Sequence, residues 1–377
     1  MTKKNILYVP AWYPCSFFEE QARLVMEDYN VVILSGVVRF YTILNSIKHI
    51  NKFRYFNITE KTTHKSIIIP YITNLRSFFI TKQIEYITSK VGKIILSLFG
   101  GAKPDVIHIQ SNSDIAYFIV LWAKKNNIKV VLTEHLLFVR HEINRFSRLR
   151  EKVYEMVDEL LCVSNYVYRN LITSRFKIKK ASIIGNLIDD RLIPKYQSNL
   201  KNGRVLFVAN HYHDKGLKTL LDVASLLNKY KSTIFIDIIG LDKNSEYEAN
   251  ILLVDEMNRR GVSNRISLLG KISHEELLKT YPKYSVLLST SISETFGLAV
   301  AESIACGTKV VCTDSGGIRD FVNENNGLIV NHNDIKKVCI SLDNVIKNYR
   351  MEKVHTMEIV KNYGRNKFKQ KLVDAYK

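Results

Sequence analysis

Two glutamates eight positions apart, Glu294 and Glu302, lie within the stretch SVLLSTSISETFGLAVAESIACGTKVVCTDSGGIRD, residues 285–320. The apolar run ending at Ser289 reads as a buried strand, and the loop after it holds Glu294. A helix then starts near Gly297 and runs to about Cys306, where Gly307 stops it. Free backbone N–H groups at Gly297 and Leu298, together with the helix dipole, form an anion site suited to phosphate. Gly297 also lets a ligand approach the backbone closely. Glu302 lies five residues further on, roughly 7–8 Å along the axis at about 1.5 Å per residue, which is the span from a diphosphate to the ribose of the same nucleotide. A carboxylate there can accept both hydroxyls of a ribose diol. Glu294, in the loop, faces whatever group the phosphate carries. Two glutamates at this spacing also arise by chance, so the pair alone leaves a structural role open.

Lys215 precedes Gly216 at a helix start. A cation there opposes the helix dipole, which argues for a bound anion over an ordinary solvated lysine. His135 ends a strand, where a lone histidine is more often just a satisfied polar group. Asp314, before Ser315-Gly316-Gly317, reads as a turn former. His211 and His213 flank the Lys215 loop but have no evident carboxylate partner, so no metal site is expected. The five cysteines, Cys15, Cys162, Cys306, Cys312 and Cys339, form no C-x-x-C pair and read as reduced core thiols.

These residues need elements to hold them. The segments 5–10, 31–36, 66–72, 105–110, 129–135 and 159–164 are β-branched, nearly continuous apolar runs that end in polar or turn residues, as buried parallel strands do. Residues 113–127 form a helical pattern, with Ser113 and Asp114 as capping candidates. A second strand set, 204–210, 234–240, 265–270, 284–290, 308–314 and 327–330, follows a polar stretch at 195–203, with an amphipathic helix over 217–230. The alternation predicts an α/β protein of two Rossmann-like, doubly wound domains. The expected boundaries are 1–194, 195–358 and a terminal helix at 359–377 that packs back on the first domain. Ligands bind at the carboxyl ends of the strands, in the cleft between two such halves.

The chain has 377 residues and a net charge of +19. Residues 1–200 carry 29 basic and 16 acidic side chains, and the remainder carry 26 and 20, so the excess sits in the first half. Such a field attracts nucleic acid, a membrane surface or phosphorylated ligands, unless it is only a compositional bias. Residues 74–98 combine Arg76, Lys82, Lys90 and Lys93 with Phe, Ile and Leu. Such a helix can lie on an anionic membrane, or it can bury one face in a core and leave its lysines in water. No run is long enough to span a bilayer, and the short apolar run at the N-terminus lacks a cleavage site. The expected location is the cytoplasm, with peripheral attachment to the inner face of the membrane as its extension.

The sequence E-T-F-G-L-A-V-A-E (294–302) resembles the E-x7-E motif of glycosyltransferase family 4, and the residues after it, Ala305-x-Gly307-x-x-Val310-Val311 and Gly316-Gly317-Ile318, continue the resemblance. The opening Trp12-Tyr13-Pro14, with Phe17 and Gln21-Ala22, is similar to that family's start. DVIHIQ (105–110), LTEH (132–135), VSNYVYRNLI (163–172), IGNLID (184–189) and HDKGLKTLL (213–221) match further segments in the family's order. The resemblance implies a GT-B fold and a nucleotide-sugar donor, UDP- or GDP-linked, as co-substrate. No other cofactor and no metal is implied. Position by position, it implies that Lys215 binds the donor phosphate, that Phe296, Gly297 and Leu298 contact phosphate and sugar, that Glu302 holds the ribose, that Glu294 lies near the donor sugar, and that His135 faces the sugar from the first domain.

Three departures stand out. Ala209-Asn210 replaces the family's Gly-Arg, so a donor contact at Asn210 lacks the usual cation. The N-terminal loop has no glycine before Gly36, and IGNLID lacks the usual proline and second glycine. No D-x-D occurs, so the acidic pair that holds a metal in the other main glycosyltransferase fold is missing. The implied activity is retaining, metal-independent transfer to a glycan or lipid-linked acceptor in surface polysaccharide synthesis. The alternatives are a GT-B nucleotide-sugar epimerase and an inactive basic module that binds membrane or nucleic acid. The sequence lacks the aromatic-basic interleaving of nucleic-acid surfaces, so no nucleic-acid partner is expected.

Overall fold

The computed structural model describes residues 3–10, 16–43, 46–57, 65–72, 77–113, 115–138, 145–174, 176–193, 203–209, 215–241, 248–349 and 356–377. It divides into two units, Met1–Gly185 with Phe368–Lys377, and Asn186–Lys367. The anticipated boundary between residues 194 and 195 lies nine residues after the one between Gly185 and Asn186, and the terminal ten residues group with the first unit.

The first unit opens with β1 (Asn5–Val9), α1 (Ser16–Arg23), β2 (Asn30–Ile43), β3 (Ser46–Asn57) and β4 (Lys65–Ile72). There follow α2 (Ser77–Leu98), β5 (Val106–Gln110), α3 (Ala116–Lys125), β6 (Lys129–Glu134) and α4 (Arg145–Met156). It continues through β7 (Glu159–Cys162), α5 (Asn165–Thr173) and β8 (Ala181–Ile183). The strand order is β4-β3-β2-β1-β5-β6-β7-β8. The six strands from β2 to β8 in this order pair in parallel, through crossovers that put helices on the sheet faces.

Two expectations are corrected here. Residues 66–72 are not a buried parallel strand: β4 pairs antiparallel with β3, which itself pairs antiparallel with β2. Only residues 44 and 45 separate β2 from β3, and a parallel partner needs a crossover of about a dozen residues or more. The helix expected from 113 starts at Ala116, and its N-cap is Ile115, which has no side-chain cap. The Ala116 N–H bonds to the Ser113 carbonyl at 3.0 Å, and Asp114 lies outside the described residues.

α2 buries Ile87, Val91, Ile94 and Ile95 and leaves Lys82, Lys90 and Lys93 exposed. Over residues 84–98 the apolar face of this helix is therefore in the core, and among its described side chains the lysines, Tyr86, Glu85, Ser89 and Ser97 are exposed. Arg76 lies outside the described residues. Among the described residues, no helix is long and apolar enough to cross a membrane.

The second unit contains β9 (Arg204–Val208), α6 (Leu217–Lys229), β10 (Phe235–Ile239), α7 (Glu248–Arg259), β11 (Ile266–Leu268) and α8 (His274–Thr280). β12 (Val286–Ser289), α9 (Leu298–Ala305), β13 (Lys309–Thr313), β14 (Gly327–Val330), α10 (Ile335–Lys347) and α11 (Thr356–Tyr363) follow. The last helix, α12 (Arg365–Tyr376), runs from this unit into the terminal segment of the first. The six strands pair in parallel in the order β11-β10-β9-β12-β13-β14. Their core is the apolar faces of α6, α7 and α10 against Val205, Ile236, Ile238, Leu288 and Val311. Burying such branched side chains stabilises by about 1.5–3 kcal/mol each before entropy is charged against it. This sheet fixes the ends of β9 and β12, where the candidate residues sit.

Candidate active site

In the second unit, Lys215 and Glu294 are brought together. The Lys215 ammonium donates to Glu294 Oε1 at 2.6 Å, and Ser291 Oγ donates to the same oxygen at 2.8 Å. Two clamps hold the pair. Thr290 Oγ1, just past β12, donates to the Gly216 carbonyl at 2.8 Å, tying the start of α6 to the end of β12. Gly216 has φ 65°, and a Cβ there would overlap the Thr290 carbonyl oxygen, so only glycine fits. On the other side, the Glu294 N–H bonds to the Ser315 carbonyl at 2.7 Å, and the Gly317 N–H bonds to the Glu294 carbonyl at 2.8 Å. The Glu294 loop thus rests on the turn after β13.

Gly297, at φ 92°, is the N-cap of α9, and Leu298 begins the helix. The N–H groups of that first turn have no partner within the helix. An ammonium has three donors and Glu294 takes one, so Lys215 can serve an anion without leaving its carboxylate. The Phe296 ring, by contrast, is buried against Phe321 and Tyr363, with ring centroids 5.2 and 5.1 Å away. It is a core side chain, and only its main chain is left to meet a ligand. Asp314 pairs with Arg319, and this guanidinium holds its carboxyl below the ordinary value. Asn210, His211 and His213 lie outside the described residues, as does Cys15; Cys162, Cys306, Cys312 and Cys339 are buried and free.

Glu302 lies one turn into α9 and is buried. Its Oε1 accepts from His274 Nε2 at 2.6 Å, and its Oε2 lies 3.4 Å from the Tyr281 hydroxyl. The bond to Glu302 raises the His274 pKa above its ordinary value, against the opposing effect of burial. Sequence reasoning missed His274. The only available signal was the S-x-x-E capping box, Ser273 with Glu276, which places it at the first position of α8.

His135 belongs to the first unit, just beyond β6. Its Nε2–H donates to Gln110 Oε1 at 2.6 Å, and the Gln110 amide nitrogen donates to Tyr8 Oη at 2.6 Å. Tyr8 Oη in turn donates to Gln21 Oε1 at 3.2 Å. This relay from β5, β1 and α1 fixes the tautomer of the imidazole and leaves Nδ1 as its acceptor. Phe17 and Phe18 set ring edges against it at centroid distances of 6.0 and 5.4 Å. Burial pushes its pKa down to about 3, so the imidazole stays neutral near pH 7. Glu134 supports the turn, accepting from the His135 and Leu136 N–H groups at 2.9 and 3.0 Å and from the Tyr154 hydroxyl at 2.7 Å. Phe17 of the opening motif is thus a neighbour of His135, and Gln21 reaches it only through Tyr8 and Gln110. Trp12, Tyr13 and Pro14 lie outside the described residues.

Residues 189–367 match the glycosyl transferases group 1, and residues 61–192 match glycosyltransferase family 4. Together the two matches run from residue 61 to residue 367, and both models are of glycosyltransferases. It is 25% identical to a human phosphatidylinositol N-acetylglucosaminyltransferase protein over 74% of its own length, a stretch that spans 59% of the human protein. It is 23% identical to an uncharacterised 41.2 kDa protein of the Klebsiella pneumoniae cps region, over 92% of this chain and 98% of that one. Among solved structures it is similar to Anabaena HepE in complex with UDP-glucose, with a TM-score of 0.67 and 13% identity over 98% of each chain. This likeness agrees with the GT-B architecture. The Lys215–Glu294 pair and the start of α9 fall within the group 1 segment, and His135 falls within the family-4 segment.

Proposed function

We propose that this glycosyltransferase moves a sugar, with retention and without a metal, from a UDP- or GDP-linked donor to a glycan or lipid-linked acceptor in surface polysaccharide synthesis. The observation that carries the reading is the Lys215–Glu294 pair held beside the glycine-capped start of α9, with Glu302 five residues on. A relative from a cps region and a relative named for transfer to phosphatidylinositol support the acceptor classes. A structure of like fold in complex with UDP-glucose supports the donor class.

In the proposed step, the bond from the sugar's anomeric carbon to the diphosphate oxygen breaks. The bond to the acceptor oxygen forms on the same face. The acceptor's proton passes to the departing phosphate oxygen, so no side chain need act as base. Lys215 and the N–H groups at Gly297 and Leu298 stabilise the charge that builds on the leaving group, in geometry set before the reaction begins. Glu294 anchors Lys215 and faces the sugar; His135 is neutral, with Nδ1 as its acceptor.

The test is a panel of UDP- and GDP-sugars screened by thermal shift, then incubated with candidate acceptors and followed by NMR. The reading expects at least one donor to stabilise the protein and to give a product with the donor's anomeric configuration. An inverted product, or an epimerised nucleotide sugar with no transfer, would overturn it.

A further inference from the structure

We propose that His274 is a positioning residue for Glu302 and that, through it, the protein prefers ribonucleotides to their deoxy counterparts. The inference rests on the reading of Glu302 as the carboxylate that holds the donor's ribose.

The Glu302 side chain is 7% exposed, whereas that of His274 is 53% exposed. A glutamate carboxylate turns freely about its last torsion unless a partner holds it, and holding two diol hydroxyls needs both oxygens correctly presented. Among the described residues, two side chains reach this carboxylate. The Tyr281 hydroxyl stands 3.4 Å from Oε2, at the weak limit of a hydrogen bond. His274 Nε2 stands 2.6 Å from Oε1, a short contact typical of a charge-assisted bond. A carboxylate offers about four lone-pair positions, so the His274 bond sets the group's plane and leaves acceptor capacity for a diol.

His274 is itself on a fixed base. Ser273 Oγ accepts from the Glu276 N–H at 3.2 Å, and the Glu276 carboxylate accepts from the Ser273 N–H at 2.9 Å, so the backbone at the first position of α8 is closed by a capping box. Besides Glu302, the charge of Asp189 adds to the rise in the His274 pKa. Asp189 is in turn held by Arg191 at 2.7 Å and by Arg365 of α12 at 3.5 Å. The ring is thus bound at one nitrogen by a buried carboxylate and still half open to solvent. A core histidine would be closed in. A surface histidine would not be committed to a buried acid.

The experiment is calorimetry on the intact chain with UDP and GDP and with their 2′,3′-dideoxy forms. The wild-type protein is expected to bind a ribonucleotide about tenfold or more tightly than its dideoxy form, the scale of a hydrogen bond to a charged group. His274→Ala is expected to bring that ratio close to one while leaving dideoxy affinity as in the wild type. His274→Gln, which keeps an N–H donor, is expected to recover part of the ratio. If His274→Ala weakens both forms alike, or leaves the ratio unchanged while Glu302→Gln abolishes it, His274 does not position Glu302 and the inference fails alone. If Glu302→Gln also leaves the ratio unchanged, or the wild type shows no preference, the ribose reading of Glu302 fails with it.

Discussion

Lys215 and Glu294 are 79 positions apart in the chain, yet each was visible in the sequence, because each stands next to a glycine-marked helix start. Their contact was not visible, because it depends on how the ends of β9 and β12 are brought side by side in the sheet. His274 was invisible for the same reason: its partner lies 28 residues away on another helix. Buried histidines give the residue scale its own prediction. Burial holds both His108 and His135 down to about 3 from an ordinary value of 6.5. Between these two values the unfolded chain binds more protons than the folded one, so stability falls as pH drops through that window. Glu134 acts in the opposite sense, since burial raises its pKa and favours its protonated form in the folded protein. His108 sits between the Tyr376 hydroxyl at 2.6 Å and Thr133 Oγ1 at 2.8 Å. His108→Gln is therefore expected to flatten the fall in unfolding temperature between pH 6.5 and pH 4, measured by circular dichroism. A variant that falls as steeply as the wild type would contradict the assignment.

At the scale of elements, the parallel strands were legible because their apolar runs are short, β-branched and closed by turn residues. β3 was not: SIKHINKFRYFN mixes lysine, histidine, arginine and asparagine with its apolar residues, so it shows no continuous apolar run. Its presence converts 66–72 from a buried parallel strand into the antiparallel edge of the sheet. The helix starts carry the function. The α6 start depends on Gly216, which combines a left-handed backbone with contact against Thr290. Gly216→Ala is expected to cost about 1–3 kcal/mol of stability, the usual range for such strain. It is also expected to lower turnover by moving Lys215 away from Glu294. Denaturant unfolding and steady-state rates check the two effects together. Unchanged values in both would mean that the clamp is not needed.

At the scale of the molecule, two parallel-sheet units were expected from the two strand sets, and two are found. The boundary was less legible, because the polar stretch at 195–203 looks more like a linker than the segment around Gly185 does. The terminal helix carries a similar lesson. Tyr376 is fully buried and its hydroxyl bonds His108, while Lys369 pairs with Glu27 at 2.8 Å and Asp28 at 3.0 Å, so the chain's end completes the first unit. Hydropathy alone could not assign those residues, because α12 is rich in lysine and shows only a narrow apolar stripe, including Phe368 and Leu372. The central claim is that Lys215 and the helix start of the second unit carry the leaving diphosphate with no metal. The direct measurement is the turnover of Lys215→Ala beside the wild type, both with a chelator present and with their unfolding midpoints recorded. The account predicts unchanged wild-type turnover in the chelator. For the variant it predicts a loss of about a hundred- to a thousandfold, the scale of removing one donor to a developing oxyanion. It predicts little change in the midpoint, because a partly exposed ion pair contributes at most about 1 kcal/mol. Wild-type turnover abolished by the chelator and restored by magnesium or manganese, or a variant as active as the wild type, would contradict it.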